Sequence, residues 1–82
     1  MTDLAIIADD LTGALDAAAP FAMRGLKTVV ALSPHGLPEA LAAGASVVGV
    51  STDSREVDPD TARSRMGAVL EGLPETVGLF KK

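Results

Sequence analysis

Cysteine, tryptophan and tyrosine are absent from this 82-residue chain, and Phe21 and Phe80 are its two aromatic residues. The absence of cysteine excludes disulfide frameworks, zinc knuckles and thiol chemistry. Two isolated phenylalanines cannot form the platform on which nucleic-acid-binding proteins stack bases. Seven basic and eleven acidic residues give a formal net charge of -4, the wrong sign for binding a phosphate backbone or an anionic membrane surface. We therefore expect neither a nucleic acid nor a membrane as a partner.

Long apolar runs are also missing, because no stretch approaches the ~20 residues of a membrane-spanning helix. The N-terminus lacks the charged region that opens a signal peptide, and together these absences predict a cytoplasmic protein. A chain with 48% apolar and 22% charged residues is expected to fold. Much of its apolar content is alanine, and domains of this size seldom gain more than ~3–5 kcal/mol from a single core. We therefore expect a fragment or subdomain of a larger unit.

Short apolar segments alternate with helical segments along the chain. The apolar segments, which are typical of strands buried on both faces, are residues 4–8, 27–32, 46–50 and 77–80. The helical segments are residues 12–24 and 38–43 and a third that begins with Asp58-Pro59. This β-α-β-α-β-α-β order predicts an α/β fold, an incomplete three-layer one with a parallel sheet. A plausible strand order is 2-1-3-4, which places the first and third strands side by side.

The first helix carries three separate signals. Its apolar positions at helical spacing predict the buried face as Leu15, Ala18, Ala22 and Leu26. Gly25 is predicted to end the helix, and Pro20 to bend it or to make it restart after a break.

Polar residues follow the first and third predicted strands directly. They are Asp9, Asp10, Thr12 and Gly13 after the first strand, and Ser51, Thr52, Asp53, Ser54 and Arg55 after the third. In open α/β sheets, ligands bind beyond the carboxyl ends of the strands, where the winding reverses. The spacing by itself predicts a site for a small anion or a metal at this edge.

The acid pair admits two interpretations. Because Asp9 and Asp10 are adjacent, their side chains diverge in extended backbone, and one is expected to face the cleft while the other caps the following helix. Gly13 lets a ligand approach the helix N-terminus, or it merely forms a tight turn.

The basic residues are equally open to more than one role. Arg55 can hold a carboxylate through two parallel hydrogen bonds, or it can be solvated or paired with Asp53 or Glu56. Lys81 and Lys82 end the fourth strand at the same sheet edge, where they either reach an anionic substrate or form a frayed terminus.

Three further residues are predicted to carry no chemistry. Arg63 and Arg65 are assigned to a solvated face of the last helix, and His35 to a surface turn rather than to a ligand set.

Phosphate loops of the GxxxxGK[ST] or GxGxxG type are absent from the sequence.

The stretch IIADDLTGALDAAAPFAMRGL at 6–26 resembles the opening of the four-carbon acid sugar kinase family. The later STDSR at 51–55 and FKK at 80–82 resemble the next two landmarks of that family in the same order. The resemblance implies a two-domain enzyme that phosphorylates tetronates or 3-oxo-tetronates with ATP. Residues 1–82 would be the N-terminal part of its sugar-acid-binding domain, with the nucleotide-binding domain absent from this chain and the fragment inactive alone.

The resemblance also implies roles for individual residues. Asp9 or Asp10 would hold the substrate hydroxyls and deprotonate the attacking one, while Arg55 and Lys82 would bind the carboxylate of the acid. The full predicted substrate-binding set is Asp9, Asp10, Thr12, Gly13, Asp53, Ser54, Arg55 and Lys82. ATP and magnesium would be bound mainly by the absent domain, so no metal ligand is assigned to this chain. The implied partners are a small sugar acid and the remainder of the enzyme, or a second chain, covering the sheet edge.

Two alternatives remain open from the sequence. An acid pair after strand 1 and an aspartate, Asp53, after strand 3 are also what a receiver-like phosphoacceptor domain uses to bind magnesium and accept phosphate. A non-catalytic interaction fragment would equally suit the short length and an exposed sheet edge.

Overall fold

The computed structural model describes residues 2–82, and the predicted alternation of strands and helices is confirmed. Its elements are β1 (Leu4–Ala8), α1 (Leu11–Met23), β2 (Thr28–Ala31), a 3-10 turn (Pro34–Gly36), α2 (Leu37–Ala42), β3 (Val47–Ser51), α3 (Pro59–Gly72) and β4 (Gly78–Lys81). Within residues 2–82, no helix is both long and apolar enough to cross a membrane.

The four strands form one parallel sheet in the order β2-β3-β1-β4. The pairing of β1 with β3 was predicted correctly, but the order 2-1-3-4 is wrong, because β2 pairs with β3 and β4 with β1. The connections explain the difference: α2 has six residues and joins neighbouring strands, whereas α1 and α3 have 13 and 14 and pass an intervening strand. The observed order also differs from the flavodoxin-like order 2-1-3-4-5 that a receiver domain requires.

Helices cover both faces of the sheet, which gives the predicted three layers. On one face, Ile6 and Val47 pack against Ala18 of α1. On the other face, the buried side chains of β1, β2 and β3 pack against α2 and α3, and this cluster consists of Ile7, Ala31, Leu37, Ala40, Ala45, Val48, Val50 and Val69. Alternate residues of a strand point to opposite faces, so Ile6 and Ile7 belong to different layers.

Of the four positions predicted to form the buried face of the first helix, one is buried. Ala18 is buried, as predicted, but Ala22 is exposed, Leu15 is 49% exposed and Leu26 is 43% exposed, and Ala14 is buried instead. The reason is close packing: Gly49 of β3 presents no side chain, and only alanines allow α1 to approach the strand there. Leucines at these positions would hold the helix away from the sheet.

The C-terminus of α1 forms the predicted glycine cap. Gly25 is left-handed, with φ of 85°, and its N–H donates to the Ala22 carbonyl at 3.0 Å, while the Leu26 N–H donates to the Phe21 carbonyl at 3.2 Å. This pair of bonds is a Schellman motif. Pro20 lies inside a single continuous helix, so the restart after a break is not observed.

The N-terminus of α3 is capped as predicted. The Asp58 carboxylate accepts hydrogen bonds from the Thr61 N–H at 2.8 Å and from the Thr61 hydroxyl at 2.9 Å, and Pro59 occupies the first helical position. These bonds to Thr61 lower the pKa of Asp58 below its ordinary value.

Substituting Gly49 tests this close packing. A Cβ atom at Gly49 would lie 3.3 Å from Cγ2 of Val30 and 3.8 Å from Cβ of Ala18. We expect Gly49→Val to lower the free energy of unfolding by about 1–3 kcal/mol, measured by urea denaturation, because the added methyl groups force α1 off the sheet. Gly67→Ala is the matched control, since a Cβ there meets nothing within 4 Å, and it should stabilise α3 by about 0.5–1 kcal/mol. Equal effects from both substitutions would contradict this packing.

Candidate functional site

The predicted polar residues converge where β1 and β3 end side by side. α1 leaves β1 toward one face of the sheet, and α3 follows β3 on the opposite face. Two adjacent strands whose helices lie on opposite faces create a crevice at their carboxyl ends. The crevice predicted between strands 1 and 3 is therefore present, and the candidate site residues border it.

Asp10 performs both of the roles that the sequence divided between the two aspartates. Its Oδ1 accepts a hydrogen bond from the Gly13 N–H at 2.7 Å, which caps α1, and its Oδ2 accepts one from Nη1 of Arg55 at 2.9 Å. The bond from Gly13, followed by the nearby Arg55 and Lys82 cations, holds the pKa of Asp10 below its ordinary value. Asp10 is therefore ionised at neutral pH.

Gly13 is required by contact rather than by an unusual backbone angle. A Cβ atom at this position would lie 2.9 Å from Oδ1 of Asp10 and 3.9 Å from Cδ of Lys82. Any side chain here would push the Asp10 carboxylate away from its cap and from Arg55. The glycine thus preserves the geometry of the acid and leaves the start of α1 open.

Asp9 and the two terminal lysines complete one side of the crevice. The Asp9 carboxylate accepts a hydrogen bond from Nζ of Lys81 at 3.1 Å. Lys82 lines a cavity of about 200 Å³ together with Ala8, Asp9, Asp10, Gly13 and Arg55. Among residues 2–82, no carboxylate side chain lies within ion-pair distance of the Lys82 ammonium. The two lysines therefore lie at the same sheet edge as the acid pair, as predicted. They come close to it because β4 pairs with β1, which the predicted strand order did not include.

The loop after β3 is tied to the end of β1 by backbone hydrogen bonds. The Thr52 N–H donates to the Ala8 carbonyl at 2.9 Å, and the Ser54 N–H donates to the Asp9 carbonyl at 2.8 Å. The Thr52 hydroxyl donates to the Ala8 carbonyl at 3.2 Å, so its oxygen accepts from the Ser54 hydroxyl, 2.6 Å away. Ser54, which was predicted to bind substrate, is buried and uses its hydroxyl inside the loop.

Arg55 reaches back across the crevice to Asp10. Its side chain is 76% exposed and bonds neither Asp53 nor Glu56, the neighbours that the sequence offered as partners. Asp10 and Arg55 line both the 200 Å³ cavity and a second cavity of about 330 Å³ that extends to Asp53, Glu56, Val57 and Arg65. The ion pair therefore stands between two spaces. The smaller space lies below the ~300–1,000 Å³ of pockets for drug-sized ligands and suits a small polar molecule.

Two other predicted residues lie outside the smaller cavity. Thr12 is exposed on the first turn of α1 and lines neither space. Asp53 is exposed, with φ of 51°, and lines the second cavity and a third of about 340 Å³ beside His35. His35 lies in the exposed 3-10 turn, as predicted.

The predicted environment of Arg65 is wrong. The sequence assigned it, with Arg63, to a solvated helix face, but Arg65 is half-buried and its Nη1 donates to the carbonyls of Thr52, at 3.2 Å, and Asp53. Arg63 is exposed, as expected, and its Nη1 lies 3.8 Å from Asp60. Helical spacing alone did not distinguish the half-buried Arg65 from the exposed Arg63, because both residues lie beside the apolar face of α3.

The acidic residues of the crevice do not form a cluster of metal ligands. Within residues 2–82, no group of three or more histidine, aspartate or glutamate side chains is arranged to hold a cation. Asp9 and Asp10 are each engaged with a basic side chain. The arrangement instead offers carboxylate oxygens as acceptors for hydroxyl groups, beside cations that attract an anion.

The lowered pKa of Asp10 predicts a pH-dependent contribution to stability. Because its folded pKa lies below the unfolded value of 3.8, ionised Asp10 stabilises the fold above that value, and the contribution disappears as pH falls through the folded pKa. We expect Asp10→Asn to be less stable than the parent at pH 7, with the deficit shrinking below about pH 4. Urea denaturation between pH 7 and pH 3 measures this.

Asp16→Asn is the matched control for Asp10→Asn, since Asp16 is exposed on the same helix and forms no ion pair within residues 2–82. A deficit for Asp10→Asn that stays constant across the pH range, or one that Asp16→Asn reproduces, would contradict the assigned role.

Comparison with known proteins places this site in context. A family model described as the sugar-binding N-terminal domain matches residues 4–82. The chain is 46% identical to a D-threonate kinase from Cupriavidus necator over 83 aligned positions that cover 94% of this chain. It is 36% identical to a D-erythronate kinase from Heliobacterium modesticaldum over an alignment covering 100% of this chain.

The chain spans 19% of the length of each of these two relatives. No solved structure was found to match it. The match to the family model covers nearly the whole sequence and includes every residue of the crevice. The chain therefore belongs to the family of sugar-binding N-terminal domains of four-carbon acid sugar kinases.

Proposed function

We propose that this chain forms the sugar-acid-binding part of a kinase that phosphorylates four-carbon sugar acids, tetronates or 3-oxo-tetronates, at the expense of ATP. The observation that carries the proposal is the grouping of Asp10, Arg55 and Lys82 around one small cavity at the β1–β3 crevice. Two relatives are named as kinases of D-threonate and D-erythronate, acids of this class.

The cations of the site match the carboxylate of such a substrate. Lys82 carries an ammonium that no carboxylate side chain within residues 2–82 neutralises, so it can bind an acid without breaking an existing pair. Arg55 gives one hydrogen bond to Asp10 and retains further N–H donors in a planar fork, which suits two parallel bonds to a carboxylate. Both cations line the same cavity.

The carboxylates match the hydroxyl groups of the substrate. The oxygens of Asp9 and Asp10 border the cavity and can accept hydrogen bonds from the hydroxyls of a sugar acid. A carboxylate whose pKa is lowered is a weak base, so Asp10 serves better to orient the attacking hydroxyl than to remove its proton early. Phosphoryl transfer through a loose transition state depends mainly on such positioning.

ATP and magnesium are proposed to bind outside this chain. The sequence contains no GxxxxGK[ST] loop, and within residues 2–82 no cluster of three or more metal-ligand side chains is present. The part of the reaction assigned to residues 2–82 is therefore the binding and orientation of the sugar acid.

The outer edge of β4 is proposed to be covered by another segment, either the remainder of the enzyme or a second chain. All four residues of β4 are exposed, and Leu79 and Phe80 are 56% and 51% exposed. Together with Leu4, Pro20 and Phe21, they line an apolar cavity of about 550 Å³ beside the unpaired strand edge. An uncovered edge of this kind invites pairing.

A chimeric kinase tests the proposed function. The segment of the Cupriavidus necator D-threonate kinase that aligns with this chain is replaced by residues 1–82, and phosphorylation of D-threonate and D-erythronate is measured. We expect the chimera to be active and Arg55→Ala to raise the KM for the acid by about 10- to 100-fold, since a hydrogen bond to a charged group contributes about 1.5–3 kcal/mol. The KM for ATP should not change.

Arg63→Ala is the matched control, because Arg63 lies on α3 away from the crevice. An Arg55→Ala chimera with the parental KM for the acid would contradict the proposed site. If the parental chimera is inactive, binding of D-threonate to the 82-residue chain is followed by NMR. Shifts at Gly13 and Arg55 would support the proposal, and their absence at millimolar acid would favour a non-catalytic interaction fragment.

A further inference from the structure

The two carbonyls that accept from Arg65 belong to the turn between β3 and α3. Nη1 of Arg65 donates to the carbonyl oxygens of Thr52 and Asp53, from a half-buried position on the second turn of α3. A guanidinium that bonds backbone carbonyls holds peptide planes, since a carbonyl cannot rotate away without losing the bond.

This turn has an uncommon backbone conformation. Asp53 has φ of 51°, in the left-handed region that non-glycine residues seldom occupy. Its N–H donates to Oγ of Ser51 at 3.2 Å. Such a conformation persists only where its surroundings determine it.

Opposite sides of the turn are fixed by different elements. The N–H groups of Thr52 and Ser54 donate to the end of β1, whereas the carbonyls of Thr52 and Asp53 accept from Arg65 on α3. β1 therefore holds one side of the turn and α3 the other. Without Arg65, only the side facing β1 would remain tied.

Arg55 depends on this turn for its direction. It follows Ser54 directly, and its side chain is 76% exposed, so little packing against other side chains holds it over the crevice. The backbone position of Arg55 must therefore determine whether its Nη1 reaches Oδ2 of Asp10, which lies 2.9 Å away.

We propose that Arg65 is a positioning residue that holds the left-handed turn at Asp53 and thereby aims Arg55 across the crevice at Asp10. The consequence for sugar-acid binding rests on the proposed function, whereas the aiming of Arg55 does not. Arg65 acts on the site through backbone carbonyls and is not itself a catalytic residue.

The test follows the Asp10 carboxyl by NMR titration of the full chain, because its pKa reports the approach of Arg55. Arg55→Met is the positive control and should raise the pKa of Asp10. Arg65→Met should raise the pKa of Asp10 by most of the amount that Arg55→Met does. Arg63→Met removes an equal charge from the same helix and should leave the pKa of Asp10 unchanged. An unshifted titration in Arg65→Met, or an equal shift in Arg63→Met, would overturn the proposal.

Urea denaturation of each variant separates aiming from stability. If Arg65→Met does not fold, Arg65→Gln decides, since its amide nitrogen lies two bonds nearer the backbone than the Nη1 atom that makes both carbonyl bonds. An upward shift in folded Arg65→Gln that Arg63→Gln does not reproduce supports the proposal, and an unshifted titration overturns it.

The same variants distinguish this proposal from the proposed function. In the chimera, Arg65→Met should raise the KM for D-threonate by about tenfold, equivalent to about 1.4 kcal/mol, with the KM for ATP unchanged. A shifted titration in a chain that binds no sugar acid would leave Arg65 as a positioning residue and remove the proposed function. An unshifted titration in a chain that binds the acid would support the proposed function and remove the proposed role of Arg65.

Discussion

The Asp10 carboxylate is the constraint on which the rest of the crevice depends. One oxygen caps α1 through the Gly13 N–H, and the other holds Arg55, which originates from the loop after β3. Two segments that are distant in sequence thus meet at a single side chain, and the absence of a Cβ at Gly13 makes the meeting possible. The capping bond fixes the orientation of the Asp10 carboxylate. The direction of its ion pair with Arg55 is therefore set at the N-terminus of α1.

This ion pair has properties that suit exchange with a substrate. Arg55 is largely exposed, and an ion pair between solvent-exposed side chains contributes little to stability. Under the proposed function, an incoming carboxylate would take over the Arg55 guanidinium while Asp10 keeps its bond to Gly13. Oδ2 of Asp10 would then accept a hydrogen bond from a hydroxyl on the same molecule. The bond from Gly13 would hold the Asp10 carboxylate in place when its pair with Arg55 opens.

The alternation of strands and helices and the β1–β3 crevice could be predicted, because apolar strands and polar strand ends are local patterns. The approach of Lys82 to Asp10 did not follow from the predicted strand order, because it depends on the pairing of β4 with β1. The order of the outer strands was predicted wrongly, although the six residues of α2 already favoured a connection between neighbours. On α1, Ala18 was predicted correctly, but Leu15 was wrongly assigned to the buried face, because leucine is the more hydrophobic residue whereas contact with Gly49 selects alanine. The environment of Arg65 could not be predicted, since its partners are backbone carbonyls.

Polar groups at this edge of the sheet fall into two sets with different tasks. Thr52, Ser54 and Arg65 satisfy one another or the backbone, and no buried side-chain polar atom within residues 2–82 lacks a partner. Because unsatisfied buried polar groups are costly, these hydrogen bonds fix one conformation of the loop, and they do so without involving the crevice residues. Asp9 and Lys82 remain at the surface of the cavity. This division of tasks allows a small, alanine-rich domain to hold its loop in place while charged side chains remain accessible to a ligand. It also explains why the hydroxyl of Ser54 is absent from the cavity that its sequence neighbour Arg55 lines.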